Sequence, residues 1–291
     1  MPRPHRLIAL ALVVAALSLL AACGSDDDDD GDDGSATTAE KASPCAKDQL
    51  ALATAGQLTV GTDKPAFPPY FEDDDPTNGK GFESAVAYAV AKQLGFGKGE
   101  VKWTVVPFNS SYAPGPKDFD FDINQISITP ARQKAVDFSS AYYTAPQAVV
   151  VPKDSDLAGA SSLADLKDAA IGVQIGTTSL DAARDVIQPS EDVKVFNDSN
   201  DVVTALKQNQ VDAVVLDLPT AFYLTAAQVP GAKIVGQFNA PGGDEFGLLL
   251  AKDSELTPCV DEALAKLESS GELKQITDKW MGATAGAPEL R

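Results

Sequence analysis

The chain has 291 residues and carries 42 acidic against 23 basic side chains, a formal net charge of −19 at pH 7. This acidic balance excludes the broad basic surface that nucleic acids and anionic membranes attract. About 245 residues follow Cys45, a length typical of one large domain or of two lobes.

The N-terminal segment has the pattern of an export signal. Two arginines precede an apolar run, 7–20, that is too short to span a membrane comfortably. The motif at 20–24 (Leu-Ala-Ala-Cys-Gly) resembles a lipobox, where bacterial lipoproteins are diacylated on cysteine and cleaved just before it. We therefore predict a lipoprotein signal peptide over 1–22, lipidation of Cys23 and a lipid-anchored position on the extracytoplasmic face of the membrane. The alternative is an ordinary signal peptide with a chance cysteine.

The single histidine, His5, lies upstream of the predicted cleavage site, so the mature chain would contain none. This excludes histidine general bases, Ser-His and Cys-His nucleophile pairs, and histidine metal ligands. We expect neither a metal nor a cofactor.

An aspartate-rich tract follows Cys23, with an unbroken run at 26–30 and two more at 32 and 33. Such a tract cannot bury apolar surface, and we predict a disordered acidic tether over 23–44. The alternative is a calcium loop, but the run lacks alternating ligands and a bidentate glutamate.

Two cysteines remain once Cys23 is lipidated. Cys45 and Cys259 form an even pair in an oxidising compartment, which predicts a disulfide between the start of the domain and a late helix. The alternative is two buried free thiols.

Strands and helices follow in chain order in a pattern typical of an α/β fold. Before residue 152 we predict strands or extended segments at 58–60, 101–106, 121–128 and 147–151, and a helix at 82–94 with apolar residues every fourth position. Beyond residue 152 we predict a capping box at 162–165 and strands at 171–173, 193–196, 211–216 and 246–251. We predict helices at 177–187, at 201–208 and from Pro219, and two further helices near the end of the chain. Such alternation predicts parallel sheet layers covered by helices.

Polar residues follow four of these strands. Asp63 comes after the first, Gln125 and Ser127 lie near the end of the segment 121–128, Gly176-Thr177-Thr178 follows the strand at 171–173, and Asp217 follows the strand at 211–216. Because ligands bind beyond the carboxyl ends of parallel strands, we expect these groups to converge.

Arg132 occupies an unfavourable predicted position. Thr129 and Pro130 read as an N-cap and a first helical residue, which places Arg132 in a first helical turn against the helix dipole. An anion arriving from outside would reverse that penalty. The alternative is a surface arginine paired with an aspartate.

The candidate groups together suit a zwitterion. Arg132 and the helix-start amides at Thr177 and Thr178 would hold a carboxylate, while Asp217, helped by Ser127 and Gln125, would hold an ammonium. The alternatives are a purely structural helix cap at 177–178 and an N-cap role for Asp217 before Pro219.

Three aromatic residues are candidates for walls around the ligand. They are Phe67, Tyr70 and Phe108. The alternative for the segment 67–70 is a rigid surface loop with core aromatics.

The motifs also occur in the order of a known family. The shared segments are 61–63 (Gly-Thr-Asp), 67–70 (Phe-Pro-Pro-Tyr), 81–83 (Gly-Phe-Glu), 127–132 (Ser-Ile-Thr-Pro-Ala-Arg), 136–139, 142–143, 172–174, 176–178 (Gly-Thr-Thr), 211–214 and Asp217. From about 58 to 280 the chain resembles the family 3 solute-binding proteins of amino-acid ABC transporters.

The resemblance implies roles for particular residues. It implies that Arg132, with Ser127 in the same motif, binds the ligand α-carboxylate, that Thr177 and Thr178 assist, and that Asp217 binds the ammonium. Phe67 would stack on the ligand.

The resemblance also implies an architecture and partners. The expected fold is a two-lobed type II periplasmic-binding-protein clamp, each lobe a mostly parallel sheet flanked by helices. Lobe 1 would comprise 45–146 and 246–291, and lobe 2 would comprise 147–245, with hinge strands near 147–151 and 237–247. The partners would be an amino acid, an ABC permease and its ATPase, the only membrane contact would be the lipid anchor, and the protein would be a monomer.

The chain departs from the family pattern at two places. One extra residue separates Asp63 from Phe67, and the stretch 112–118, with two prolines, replaces an amphipathic helix.

Two other functions are alternatives for this chain. A cyclohexadienyl-dehydratase-like enzyme on the same fold would need a cleft general acid, for which Asp63 or Glu245 would be proposed. A sensory ligand-binding domain would need a downstream membrane or signalling segment. The ligand side chain stays open, since Asn124, Gln125, Gln174 and Phe108 suit polar, acidic or amidated groups.

Overall fold

A computed structural model describes residues 43–240, 244–284 and 286–291. The predicted signal peptide, the lipidated Cys23 and nearly all of the predicted tether lie outside the described residues. Across these three ranges, no helix combines the length and apolar character needed to cross a membrane.

The first lobe is built on a five-stranded sheet. Its strands are β1 (Leu58–Thr62), β2 (Val101–Val105), β3 (Phe121–Asp122), β4 (Val136–Thr144) and β10 (Glu245–Ala251), in the spatial order β2-β1-β3-β10-β4. Strand β1 pairs in parallel with β2 and β3, whereas β10 runs antiparallel to β3 and β4. The late strand β10 therefore returns the chain to the middle of the first sheet.

Helices cover this sheet through one large apolar cluster. They are α1 (Phe82–Gln93), α6 (Thr257–Ser269) and α7 (Glu272–Met281), whereas the short α2 (Phe108–Ser111) packs through Phe108 on a separate, smaller apolar cluster. Phe82, Val86 and Val90 of α1 are fully buried against Leu58 and Val60 of β1, so the four-residue spacing in the sequence did mark the core face.

The second lobe is built on another five-stranded sheet, in the order β7-β6-β8-β5-β9. Its strands are β5 (Gln147–Pro152), β6 (Ile171–Gln174), β7 (Lys194–Phe196), β8 (Ala213–Asp217) and β9 (Ala232–Phe238). Strand β6 pairs in parallel with β7 and β8, while β5 runs antiparallel to β8 and β9. Because an apolar cluster covers each face, the strand residues of β5 and β8 are apolar on both sides.

Three helical segments flank the second sheet. They are α3 (Thr178–Ala182) continued by a π-helical stretch (Ala183–Ile187), α4 (Ser199–Lys207), and α5 (Leu218–Tyr223) continued by a second π-helical stretch (Leu224–Gln228). The sheets and their flanking helices together form a two-lobed α/β clamp, the predicted fold class. The sheets are mixed rather than mostly parallel as expected, because β10 in the first and β5 in the second run antiparallel to both of their neighbours.

Two features differ from the expected lobes. The predicted first lobe included all of 246–291, whereas Leu290 packs in the apolar core of the second lobe. The extended segment expected at 121–128 is a strand only over Phe121–Asp122, because Gln125 adopts a left-handed conformation with φ 48° and turns the chain.

The predicted helix start at Thr129 is also different in detail. A single 3-10 turn, Arg132–Lys134, replaces the expected helix, although Thr129 Oγ1 does accept a hydrogen bond from the Arg132 amide at 3.2 Å. Strand β4 begins two residues later, so there is no helix long enough for a dipole to oppose Arg132. The buried position of Arg132 therefore needs another explanation.

Cys45 and Cys259 form a disulfide that joins the start of the described domain to α6, as predicted. The two cysteines are 214 residues apart, so the bond closes nearly the whole fold into one loop. A cross-link over so long a loop restricts the unfolded chain strongly.

The double variant Cys45→Ser/Cys259→Ser should lose about 2–5 kcal/mol of unfolding free energy, because the unfolded chain regains its loop entropy. Guanidinium chloride denaturation without reductant measures this, with the reduced parent as a control. Equal denaturation midpoints for the oxidised parent and the variant would contradict the prediction.

Candidate functional site

A cavity of about 170 Å³ lies between the two lobes. Nine of the ten residues predicted to contact a ligand line it: Asp63, Phe67, Phe108, Gln125, Ser127 and Arg132 from the first lobe, and Thr177, Thr178 and Asp217 from the second. The sequence therefore anticipated which strand and helix ends meet at the cleft.

Arg132 is a buried cation that bridges the lobes. Only 8 % of the residue is exposed, and its guanidinium donates from Nη1 to the Ser127 carbonyl at 2.6 Å and from Nη2 to the Gly176 carbonyl at 2.8 Å. The guanidinium carbon also lies 4.8 Å from the centre of the Tyr112 ring. None of the described carboxylates lies within ion-pair distance of Arg132, so the alternative of a surface salt bridge fails.

Helix α3 begins at the cavity. The Thr177 hydroxyl donates to the Gln174 carbonyl at 2.8 Å and accepts from the Leu180 amide at 3.3 Å, so this side chain does cap the helix. Thr178 Oγ1 lies 3.2 Å from Ser127 Oγ across the cleft. The first amides of a helix have no partner within it, and Thr178, the first residue of α3, lines the cavity together with Arg132.

Gly176 lets the two lobes approach closely. It has φ 75°, and a Cβ built on it would lie 2.3 Å from Tyr112 Oη and 2.6 Å from Asn109 Oδ1. Any other residue would push α2 away from the start of α3. The cross-cleft hydrogen bond from Arg132 depends on this approach.

Asp217 ends β8 and faces the cavity from the second lobe. It stands at the N-cap position of α5, but its side chain caps no helical amide and instead accepts a hydrogen bond from Gln147 Nε2 at 2.7 Å. Burial, reinforced by repulsion from Asp244, raises the pKa of Asp217 to about 7, while the Gln147 bond and Arg132 pull it down. A nearby cation would restore its ionised form.

The three predicted aromatic walls are placed differently. Phe67 and Phe108 line the cavity, whereas Tyr70 is fully buried behind it, with its hydroxyl accepting from Thr220 Oγ1 at 3.3 Å. The two prolines between Phe67 and Tyr70 turn the chain, which sends the second ring into the first-lobe core.

Asp63 helps to shape the first-lobe wall. Its Oδ1 accepts from the Lys64 amide at 2.7 Å, and its Oδ2 accepts from the Phe108 amide at 3.0 Å. The carboxylate thus fixes the start of α2 while it lines the cavity.

Comparison with known proteins identifies the family. Residues 58–283 match the family described as bacterial extracellular solute-binding proteins, family 3. The chain belongs to this family. Its relatives include the arginine-binding extracellular protein ArtP of Bacillus subtilis strain 168, 33% identical over 77% of this chain and 86% of that protein. The L-cystine-binding protein TcyJ of Escherichia coli K12 is 29% identical over 78% of this chain and 84% of that protein.

Solved structures of amino-acid-binding proteins have the same fold. An ancestral arginine-binding protein bound to glutamine matches with a TM-score of 0.66 and 34% identity, over 79% of this chain and 99% of that one. The arginine-, lysine-, histidine-binding protein ArtJ from Geobacillus stearothermophilus matches with a TM-score of 0.64 and 27% identity, over 79% of this chain and 96% of that one.

Sequence reasoning missed a second set of residues at the site of this family 3 solute-binding protein. Tyr223 on α5 lines the cavity, and its ring lies parallel to that of Phe67, with centroids 5.9 Å apart across the cleft. Gln147 and Asp244, at the two lobe crossings, surround Asp217. The pattern around Tyr223 carried no signal, because an aromatic residue on a helix is usually core.

Glu83 is the most informative of the missed residues. It is fully buried at the start of α1 and accepts hydrogen bonds from the Gln125 amide at 2.7 Å, from the Gln125 side chain and from Tyr142. Burial raises the pKa of Glu83 to about 7, although these hydrogen bonds lower it. Glu83 thereby holds Gln125 in its left-handed conformation at the cavity wall. An acid on the apolar face of a predicted helix was the signal available in the sequence.

Replacing Glu83 with glutamine should flatten the pH dependence of stability. Burial raises the pKa of Glu83 from 4.5 to about 7, so its stabilising contribution is present below pH 4.5 and is lost as the pH rises through 7. That difference corresponds to roughly 3 kcal/mol in the parent.

Chemical denaturation of the parent and Glu83→Gln at pH 5 and pH 8 measures the effect. Glu268→Gln, at an exposed position of α6, serves as the matched control and should follow the parent. Parallel pH profiles for the parent and Glu83→Gln would contradict the assignment.

Proposed function

We propose that this protein binds an α-amino acid on the extracytoplasmic side of the membrane and delivers it to an ABC importer. The observation that carries the proposal is the pair of opposite charges at one cavity: Arg132 from the first lobe and Asp217 from the second. One is a cation with no carboxylate partner among the described residues, and the other is an acid whose pKa is raised by burial.

The carboxylate of the ligand would bind at Arg132. Two guanidinium donors are held by the carbonyls of Ser127 and Gly176, and a guanidinium has five in all. The remaining donors, the Thr178 hydroxyl and the first amides of α3 supply the anion site, with Thr177 acting through the helix cap.

The ammonium of the ligand would bind at Asp217, with Ser127 and Gln125 nearby in the cavity wall. Because Arg132 and Asp217 belong to different lobes, a zwitterion engages both only when the cleft is closed. In the closed cleft, the ligand carboxylate would pair with Arg132 and the ligand ammonium with Asp217. The ligand would then interact more strongly with the closed state than with the open state, which favours closure.

The side-chain end of the cavity favours a polar group with a flat terminus. The parallel rings of Phe67 and Tyr223 offer two π faces from opposite lobes, and Asp63 adds a carboxylate to the wall. Arginine, glutamine and histidine have such termini, and names of relatives include binding proteins for each of these amino acids.

Delivery requires an extracytoplasmic location and a transporter. Family 3 proteins are extracytoplasmic, and we propose that a lipid on Cys23 anchors this one to the membrane as a monomer. The proposed partners are an ABC permease and its ATPase.

Binding is favoured over the dehydratase alternative. The candidate acid Glu245 is exposed on β10, and Asp63 is occupied by two backbone amides. A structural neighbour connected to that enzyme is itself described as an ancestral amino acid-binding protein, a precursor of cyclohexadienyl dehydratase, with 30% identity and a TM-score of 0.63 over 77% of this chain and 95% of that one.

Arg132→Ala should abolish detectable binding in isothermal titration calorimetry with arginine, glutamine, histidine and cystine. Loss of the guanidinium leaves a desolvated carboxylate unpaired, at about 3–5 kcal/mol, which is more than a hundredfold in affinity.

Lys134→Ala is the matched control, because it removes an exposed cation from the same 3-10 turn. It should bind as the parent does. Near-parental affinity of Arg132→Ala, or a parent that binds no amino acid, would refute the proposed function.

Ligand affinity should fall as the pH drops below 7. Asp217 has a pKa of about 7 in the free protein, and the ammonium needs its ionised form, so binding at lower pH must release a proton. The fall is at most about tenfold per pH unit. Arg132, Asp244 and Glu83 also act on this group and shape the profile.

Calorimetry between pH 5.5 and 8, in two buffers of different ionisation enthalpy, measures both the affinity and the released proton. Asp217→Asn should show weak binding without that proton release. A pH-independent affinity in the parent would rule out Asp217 as the ammonium ligand.

A further inference from the structure

The segment 286–291, which we call the strap, connects the two lobes a third time. Helix α7 packs on the first lobe, where Met281 is buried in the core. The 3-10 turn that follows, Gly282–Thr284, already contacts α5 of the second lobe. Beyond it, the strap lies wholly on the second lobe.

The strap is docked by backbone pairing and by one buried side chain. The Gln237 amide donates to the Pro288 carbonyl at 2.8 Å, and the Leu290 amide donates to the Gln237 carbonyl at 2.9 Å. Leu290 is 5 % exposed within the apolar core of the second lobe. The strap therefore covers the outer edge of β9, which would otherwise present unpaired backbone groups.

The second lobe has a matching seat for the strap. A Cβ built on Gly236 of β9 would lie 2.5 Å from Leu290 Cγ and 2.7 Å from the Pro288 carbonyl oxygen. A glycine at this position leaves the space that Leu290 fills. The match to the family ends at residue 283, so the strap lies beyond the pattern that the family shares.

The strap pairs with β9, the strand that leads into one of the two lobe crossings. Strand β9 continues to β10 of the first lobe through one of the lobe crossings. When the lobes separate, α7 moves with the first lobe and Leu290 with the second, so the distance between Met281 and Leu290 must grow. Unwinding a three-residue 3-10 turn yields roughly 4 Å, from about 2.0 to about 3.3 Å per residue. Wider opening requires Leu290 to leave its seat.

We propose that the strap limits how far the cleft opens. It acts as a tether between the lobes, outside the two crossings at β4–β5 and β9–β10. A cleft held nearly closed keeps Arg132 and the start of α3 close to their ligand-binding arrangement, which lowers the ordering that binding requires.

Double electron–electron resonance on the ligand-free protein tests the tether. Spin labels at Lys102→Cys and Asp192→Cys, both exposed and on different lobes, report the lobe separation in a full chain carrying Cys23→Ser. Leu290→Asp should undock the strap and shift the distance distribution to longer values than in the parent. Leu290→Met, which keeps the volume and apolar character, should match the parent.

A second variant changes the β9 side of the contact between Gly236 and Leu290. Gly236→Ala places a methyl group where Leu290 sits and should lengthen the distance as Leu290→Asp does, with no further change when the two are combined. Distance distributions that superimpose on the parent in both variants would overturn the proposal. Since no ligand is added, that result would leave the proposed function untouched.

Discussion

The arrangement of the lobes depends on the buried guanidinium of Arg132. A buried cation without a carboxylate is costly, and here two carbonyls and two aromatic rings compensate it. One of those carbonyls belongs to Gly176 of the other lobe, so satisfying the charge requires the lobes to meet. Gly176 is a glycine for the same reason, because Tyr112 and Asn109 occupy the space of its missing side chain.

Buried acids lie on the opposite side of the cleft from the buried cation Arg132. Asp217 lies on the second-lobe wall, Asp244 lies close to it at a lobe crossing, and burial raises the pKa of both. Where the chain passes from one sheet to the other, it carries polar groups into the interior. The acids there lie beside the cavity, so neighbouring protein groups compensate their charge only in part. Arg132 on the first-lobe wall and Asp217 on the second-lobe wall place opposite charges across the cleft, and a zwitterion would neutralise both in a single step.

Local sequence rules failed where tertiary contacts overrode them. Thr129 does cap the next turn, but β4 begins at Val136 and stops the helix after three residues. Gln125 lies in a segment that reads as extended, yet Glu83, 42 residues away, binds its amide and holds it in a left-handed conformation. Tyr70 lies three residues after Phe67, which lines the cavity. Tyr70 nevertheless belongs to the core, because the chain turns at the two prolines between these residues.

The sequence by itself determined the alternation of strands and helices, the core face of α1, the disulfide partners and the strand ends where polar groups would gather. The strands, helices and strand ends follow from periodicity and short-range spacing, which the chain carries locally, and the disulfide partners follow from the two cysteines that remain beside Cys23. Only the tertiary structure decided that Arg132 binds carbonyls of both lobes, that Tyr223 faces Phe67, and that Leu290 seats on Gly236. Arg132 and Gly176, Phe67 and Tyr223, and Gly236 and Leu290 are each more than 40 positions apart, so these pairings depend on tertiary packing rather than on any local pattern.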